Sequence, residues 1–183
     1  MRVLQIGNPL LTQRSQELSL DEIQSEAIQN LLSKMKETLN GIQAISSENG
    51  NALSAPQSGS LVRMILLRID GEFVPMINPV IQRHSEQQFE FQEECFSMYD
   101  IRGTVSRHVE IAVSYLDEYG IEKSTTLRGE MSGLVQHEID HLDGILFIDK
   151  LKEETPKKIE QVFKHSPHQL SKINEMIAFM KGN

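Results

Sequence analysis

Two histidines flank a glutamate in "LVQHEIDHLDG", residues 134–144. On a helix each residue turns by about 100°, so His137 and His141 lie about 40° apart on one face, one turn removed. Both imidazoles can then reach a single ion. Val135, Ile139 and Leu142 gather on a neighbouring face suited to a core. Glu138 falls between the two faces, poorly placed to bind the ion beside both histidines and well placed as a general base toward an activated water. The plain alternative is a helix carrying two solvated histidines. A hydrolytic metal site also needs a third protein ligand and an open position. Cys95, His84, His108, His165, His168 and many carboxylates are candidates, and spacing alone does not choose among them. A lone cysteine is by default a small buried hydrophobe.

The elements that must carry these residues can be read from periodicity and turn chemistry. Residues 19–41 predict the first long helix, opened by a Ser19/Glu22 capping box and stopped at Gly41, with Ile23, Ala27, Leu31, Met35 and Leu39 at helical spacing. Residues 63–79 predict a hairpin turning at Asp70-Gly71, its second strand pushed toward an edge by Pro75 and Pro79. Residues 108–127 predict another strand pair, with Val109, Ile111, Val113 and Tyr115 on one face and Gly120 at the turn. The histidine helix ends at Asp143 with Gly144 as its cap, while Gly129 and Gly133 leave its start open, and "ILFID" follows as a short strand. After Thr155-Pro156 the chain reads as helical to its end, broken at Ser166-Pro167, with Leu170, Ile173, Ile177 and Met180 as an apolar stripe. The expected fold is one α+β domain over residues 1–183, its antiparallel sheets surrounding a central HExxH helix, with an N-terminal helix and a helical extension over residues 151–183.

Composition narrows the setting. The 183 residues are 39% hydrophobic and 24% charged, enough for one real core. The net charge of -8 and the lack of a Lys/Arg block argue against direct nucleic-acid binding. No apolar run reaches the ~18 residues of a membrane helix, and "MRVLQIGNPLL" lacks a signal peptide's apolar stretch. The single cysteine permits no internal disulfide, so a cytoplasmic location is expected.

Three separated segments together resemble the peptide deformylase family. "QHEIDHLDG" (136–144) fits the family's QHExDHLxG fully, "EECFS" (93–97) fits EGCLS in part, and "GNALSAPQ" (50–57) fits the glycine-rich motif ending in PQ in part. Their order is right, and residues 3–18 and 99–120 resemble the family's N-terminal segment and strand region. The resemblance covers most of residues 1–150. It implies a metal-dependent hydrolase that removes the N-formyl group from the initiator methionine of new peptides. Cys95, His137 and His141 would hold one divalent ion, with Fe(II) typical of the family and Zn(II) or Ni(II) also suited to a thiolate and two imidazoles. An activated water would attack the formyl carbon while Glu138 carries its proton to the leaving amine. The Gln57 side-chain amide and the backbone N–H of Phe96 would stabilise the developing oxyanion. Gly50, Ala52 and Glu94 would border the peptide. The family pattern also implies that Arg102 pairs with Glu93 and Asp140 behind the metal. The tail resembles that of deformylases ending in a helix. No ribosome contact carries over, and a monomer is expected.

The departures cluster near the substrate. Asn51 replaces an apolar residue, Ala52 a glycine, Ser54 an alanine, Glu94 a glycine and Phe96 a leucine. Glu130 and Gly133 stand where bulky apolar residues usually help hold the methionine side chain. A buried, unpaired carboxylate there would offset the gain from apolar burial. Two alternatives follow: a deformylase-like amidohydrolase with altered N-acyl-peptide preference, or a non-catalytic metal-binding relative.

Overall fold

The computed structural model describes residues 2–98, 101–151, 160–161 and 167–182, with side chains of 160–161 and 167–170 outside the description. The capping box at Ser19 and Glu22 forms as the sequence predicts, but it opens only a single turn, α1 (Leu20–Ile23). Ser25 then caps a second helix, α2 (Glu26–Ile45). This new start resets the helical phase. The buried stripe is therefore Ile28, Leu32, Met35, Leu39 and Ile42, while Ala27 is exposed. Gly41 does not stop the helix; it lies inside α2, for a reason given below.

Five antiparallel strands form the first sheet, in the order β1 (Ala52–Ser54), β2 (Met64–Ile69), β3 (Glu72–His84), β6 (Glu110–Leu116) and β7 (Glu122–Arg128). The β2–β3 turn is at Asp70-Gly71, both residues with positive φ, as the Asp-Gly pair predicts. β3 is central rather than an edge, yet its prolines are tolerated. β2 pairs with it over Glu72–Ile77 and β6 over Ile77–His84, so Pro75 has a partner on one side only and Pro79 sits in the irregularity between Ile77 and Val80. The β6–β7 pair and the Gly120 turn match the reading of residues 108–127, with Ile111 and Val113 buried.

A second sheet has the order β4 (Gln88–Glu93), β5 (Ile101–His108) and β8 (Glu160–Gln161). β8 corrects the helical reading of this region: residues 160–161 pair with Ile101 and Arg102. Thr155-Pro156 and Ser166 lie outside the described residues, and Pro167 is the first residue of the last helix, α4 (Pro167–Lys181). "ILFID" is not a strand either. Asp149 accepts a hydrogen bond from the Leu146 N–H at 2.9 Å and tightens Phe147–Lys150 into a 3-10 turn, which buries Phe147.

Between the sheets runs α3 (Gly129–Leu142), the helix of the two histidines. It touches β1, β2, β6 and β7 of the first sheet and β4 and β5 of the second. Val135, Ile139 and Leu142 pack against the first sheet beside Ile65, Leu67, Ile111 and Val113. A separate cluster joins α2, β1, β2 and α4. Each large side chain buried in these layers contributes roughly 1.5–3 kcal/mol.

Candidate metal centre

α3 is buried from Val135 to Leu142, although five of those eight residues are polar. Buried polar groups need partners, and the partners found here define the site. Gln136 donates through its amide nitrogen to the His108 carbonyl and accepts the His108 N–H. That ties the helix to β5. Asp140 accepts from Arg107 Nη1 at 2.5 Å and from Lys150 Nζ at 2.6 Å. Arg107 also donates to both oxygens of Glu93, Nε to Oε1 at 2.6 Å and Nη2 to Oε2 at 3.0 Å. Glu93 Oε2 lies 2.6 Å from His137 Nδ1. Burial alone would raise the pKa of Glu93, but the bonds from His137 and Arg107 overcome it and hold the carboxyl below its usual range. An ionised Glu93 can only accept, so the proton is on His137 Nδ1, leaving Nε2 for the interior. A ligand histidine oriented by a carboxylate has this arrangement.

The arginine behind the site is Arg107, not the expected Arg102. Strand parity explains the difference. Val105 and Arg107 are buried on the side of β5 that faces α3, whereas Arg102 belongs to the alternate set and forms an ion pair with Glu94 at the mouth of the cleft. The apolar Val105, two residues before Arg107 and so on the same strand face, is the signal that the sequence carries.

Cys95, His137 and His141 converge. Their candidate ligand atoms all lie within 4.8 Å of one another, and the Cys95 sulfur is 3.2 Å from His141 Nε2. A single point therefore lies within about 2.8 Å of all three, close to the roughly 2.0–2.3 Å bonds of a bound ion. Among the described residues this is the only such group that includes the motif histidines; His84 and His108 stack on each other elsewhere, with centroids 3.8 Å apart. Burial, with the neighbouring His137 and Arg107, holds His141 well below its ordinary pKa, so its ring is neutral and able to ligate. Burial opposes charge on His137 as well, but Cys95 and Glu93 outweigh it and raise its pKa strongly. The donor set fits a divalent transition metal.

Glu138 is almost fully buried beside this group. Burial is the main cause that pushes its pKa up to about 7. Its Oε2 has no hydrogen-bond partner among the described residues. Gln57 completes the surroundings. Its Oε1 accepts from the Ser54 N–H and hydroxyl, both at 2.9 Å. A backbone N–H can only donate, so the carboxamide has one orientation and its NH2 faces Cys95 and Ser97. Ser54 and Ser97 gave no signal in the sequence beyond their places in the partial motifs.

A cleft of about 520 Å³ opens onto these groups. Gly50, Asn51, Ala52, Glu94 and Phe96 border it. Ala52 lies in β1 opposite Leu67, in extended backbone that needs no glycine. Glu130 and Gly133 do not border it. Glu130 is exposed on the first turn of α3, and Gly133 faces Phe91, whose ring would be 2.8 Å from an added Cβ. A phenylalanine from β4 therefore fills the space that a larger side chain on α3 would take. The expected disturbance from Glu130 is absent because its carboxylate is in solvent. Among the described residues no helix is long and apolar enough to cross a membrane.

Comparison with known proteins agrees with this geometry. The family model described as polypeptide deformylase matches residues 1–157. Peptide deformylase 2 of Nostoc sp. is 34% identical over 160 residues, covering 82% of this chain and 85% of the relative. Peptide deformylase 1A, chloroplastic, of Solanum lycopersicum is 29% identical over 179 residues; the match covers 87% of this chain and 62% of that longer protein. Among solved structures, a Plasmodium falciparum peptide deformylase in complex with an inhibitor is similar at a TM-score of 0.74 and 31% identity, covering 96% of this chain and 99% of the other. A Met-Ala-Ser bound class I type b peptide deformylase from Acinetobacter baumannii is similar at a TM-score of 0.75 and 29% identity, covering 82% and 98%.

Proposed function

The chain belongs to the polypeptide deformylase family, and on that footing we propose that it hydrolyses the N-formyl group from peptides that begin with formyl-methionine. The observation that carries this reading is the placing of Glu138 and Gln57 around the Cys95, His137 and His141 group. A site that merely stored an ion would need neither.

Cys95, His137 and His141 would hold the ion, and we take Fe(II) as the resident metal, with Zn(II) and Ni(II) compatible with the same donors. When bound, it supplies Lewis-acid polarisation of the carbonyl and a more acidic water. The protein's own groups do the rest. Glu138 accepts the proton of the attacking water and returns it to the departing amine. A carboxyl near 7 suits a group that must both take and give a proton around neutrality. The Gln57 NH2, locked by Ser54, and the Phe96 N–H face the growing charge on the formyl oxygen. Losing one such donor typically costs ~3 kcal/mol of barrier. β1 is the edge strand of its sheet, so its free backbone groups beside Gly50 and Ala52 suit an extended peptide. Glu93, Arg107 and Asp140 keep His137 and α3 in place.

Formate release from formyl-Met-Ala-Ser by metal-loaded protein, prepared without oxygen and with its metal content measured, is the direct test. The parent should release formate and lose that activity to chelators. Glu138→Ala should retain its metal and lose roughly 10²–10⁴-fold in rate. A metal-loaded parent that releases no formate from formyl-Met peptides would overturn the reading, and parent and variant equally inert would favour a non-catalytic metal-binding role.

A further inference from the structure

The cleft has a wall that the family motifs do not account for. Lys172, Ile173, Met176, Ile177 and Met180 of α4 all border it, although they lie beyond the 157 residues that the family model matches. Positions 173, 176, 177 and 180 form one helical stripe. Met176 and Met180 turn inward and are buried in the α2 cluster, while Ile173 and Ile177 stay half-buried. The cleft is also lined by a polar stretch, Ser46 to Asn51.

The position of α4 is built into the rest of the chain. Gly41 lies within α2, where a glycine costs about 1 kcal/mol relative to alanine. Its compensation is space: an added Cβ at Gly41 would be 2.0 Å from the Phe179 ring. The α4 ring thus sits in a notch that only glycine provides. A second tie joins the same helix end to the chain start, where the Val3 N–H donates to the Met180 carbonyl at 2.9 Å. Two contacts remote in sequence hold α4 where its apolar stripe faces the cleft.

We propose that α4 is a specificity element of the active site, its Ile173/Ile177 edge forming an apolar wall for the side chain that follows the formyl-methionine. This rests on the deformylase reading, and it adds which part of the chain selects among formyl-methionine peptides. A substrate whose formyl group reaches Glu138 and whose backbone runs along Gly50 and Ala52 leaves the cleft past α4. An apolar second residue buries surface against Ile173 and Ile177; a small one leaves that surface wet. Leucine carries three more carbons than alanine, so partial burial favours it by about tenfold.

The test uses full-length, metal-loaded protein. Formyl-Met-Leu-Ser and formyl-Met-Ala-Ser are compared by kcat/KM in the parent, in Ile173→Ser/Ile177→Ser and in Gly41→Ala, which forces Phe179 out of its notch. The parent should prefer leucine about tenfold, and both variants should bring the ratio near one through KM, with kcat and metal content retained. A general folding defect would lower activity on both peptides alike and leave the ratio unchanged. Binding of the product peptides Met-Leu-Ser and Met-Ala-Ser, measured by calorimetry on the same samples, reads the wall without turnover. A parent that binds leucine preferentially but releases no formate would overturn the catalytic reading and keep the wall. A parent that binds the two peptides equally or not at all, or variants that keep the parent's ratio, would overturn the wall.

Discussion

Glu93 and Glu94 are neighbours in sequence, as members of the same motif, yet they serve two different regions. Glu93 faces inward, 1% exposed in its side chain, and is gripped by Arg107 and His137. Glu94 faces the cleft mouth, 45% exposed, and pairs with Arg102, itself 39% exposed. Both arginines come from β5, on opposite faces of one strand. The inner network is dry, so each charge depends on the others; the side chains of the outer pair are both more than a third exposed, and solvent screens them. One region therefore bears on stability and metal affinity, the other on what the cleft admits.

The largest expected effect comes from breaking the inner side. Arg107→Met leaves the buried Glu93 without its guanidinium partner and Asp140 with Lys150 alone, and should destabilise the protein by roughly 3–5 kcal/mol. Chemical denaturation checks this, and a loss below 1 kcal/mol would erase the distinction between the regions. Glu93→Gln is milder, since the amide can still accept from His137. It should weaken metal affinity by about 10–100-fold. It should also change the acid limb of the stability curve. The parent's Glu93 has a pKa below its ordinary 4.5, so its pairing stabilises the fold above that value and the contribution is lost as pH falls through the lowered pKa. The variant should lack this part of the acid dependence. The smallest effect belongs to the outer side: Arg102→Met should change stability by less than about 1 kcal/mol and leave metal affinity intact, with any change confined to KM. A metal-loss phenotype in Arg102→Met would sharpen the comparison in the opposite sense, by placing the mouth pair in the metal support.

Much of the architecture is legible in the amino-acid sequence. The Asp70-Gly71 turn, the β6–β7 pair, the Ser19 cap and the helix through His137 and His141 each rest on contacts among near neighbours, where spacing and residue type carry the information. Failures occurred where a distant partner decided the outcome. Gly41 reads as a helix stop until Phe179, far along the chain, is seen to need its missing Cβ. Pro75 and Pro79 read as edge signals until β3 is found to divide its pairing between β2 and β6. Arg102 reads as the partner of Glu93 through resemblance until the face of β5 that packs on α3 is seen to present Arg107 instead.

The residue types alone determined the chemistry available: two imidazoles a helical turn apart, a carboxylate between them, and one thiol in the whole chain. The motifs named that thiol as the third ligand through resemblance. Only the tertiary structure brought Cys95 to His141, closed Glu93 and Arg107 behind His137, and set α4 along the cleft. The reason is physical. Local periodicity follows from backbone geometry over a few residues, whereas burial and charge pairing depend on which surfaces meet, and that is decided by the packing of the whole chain.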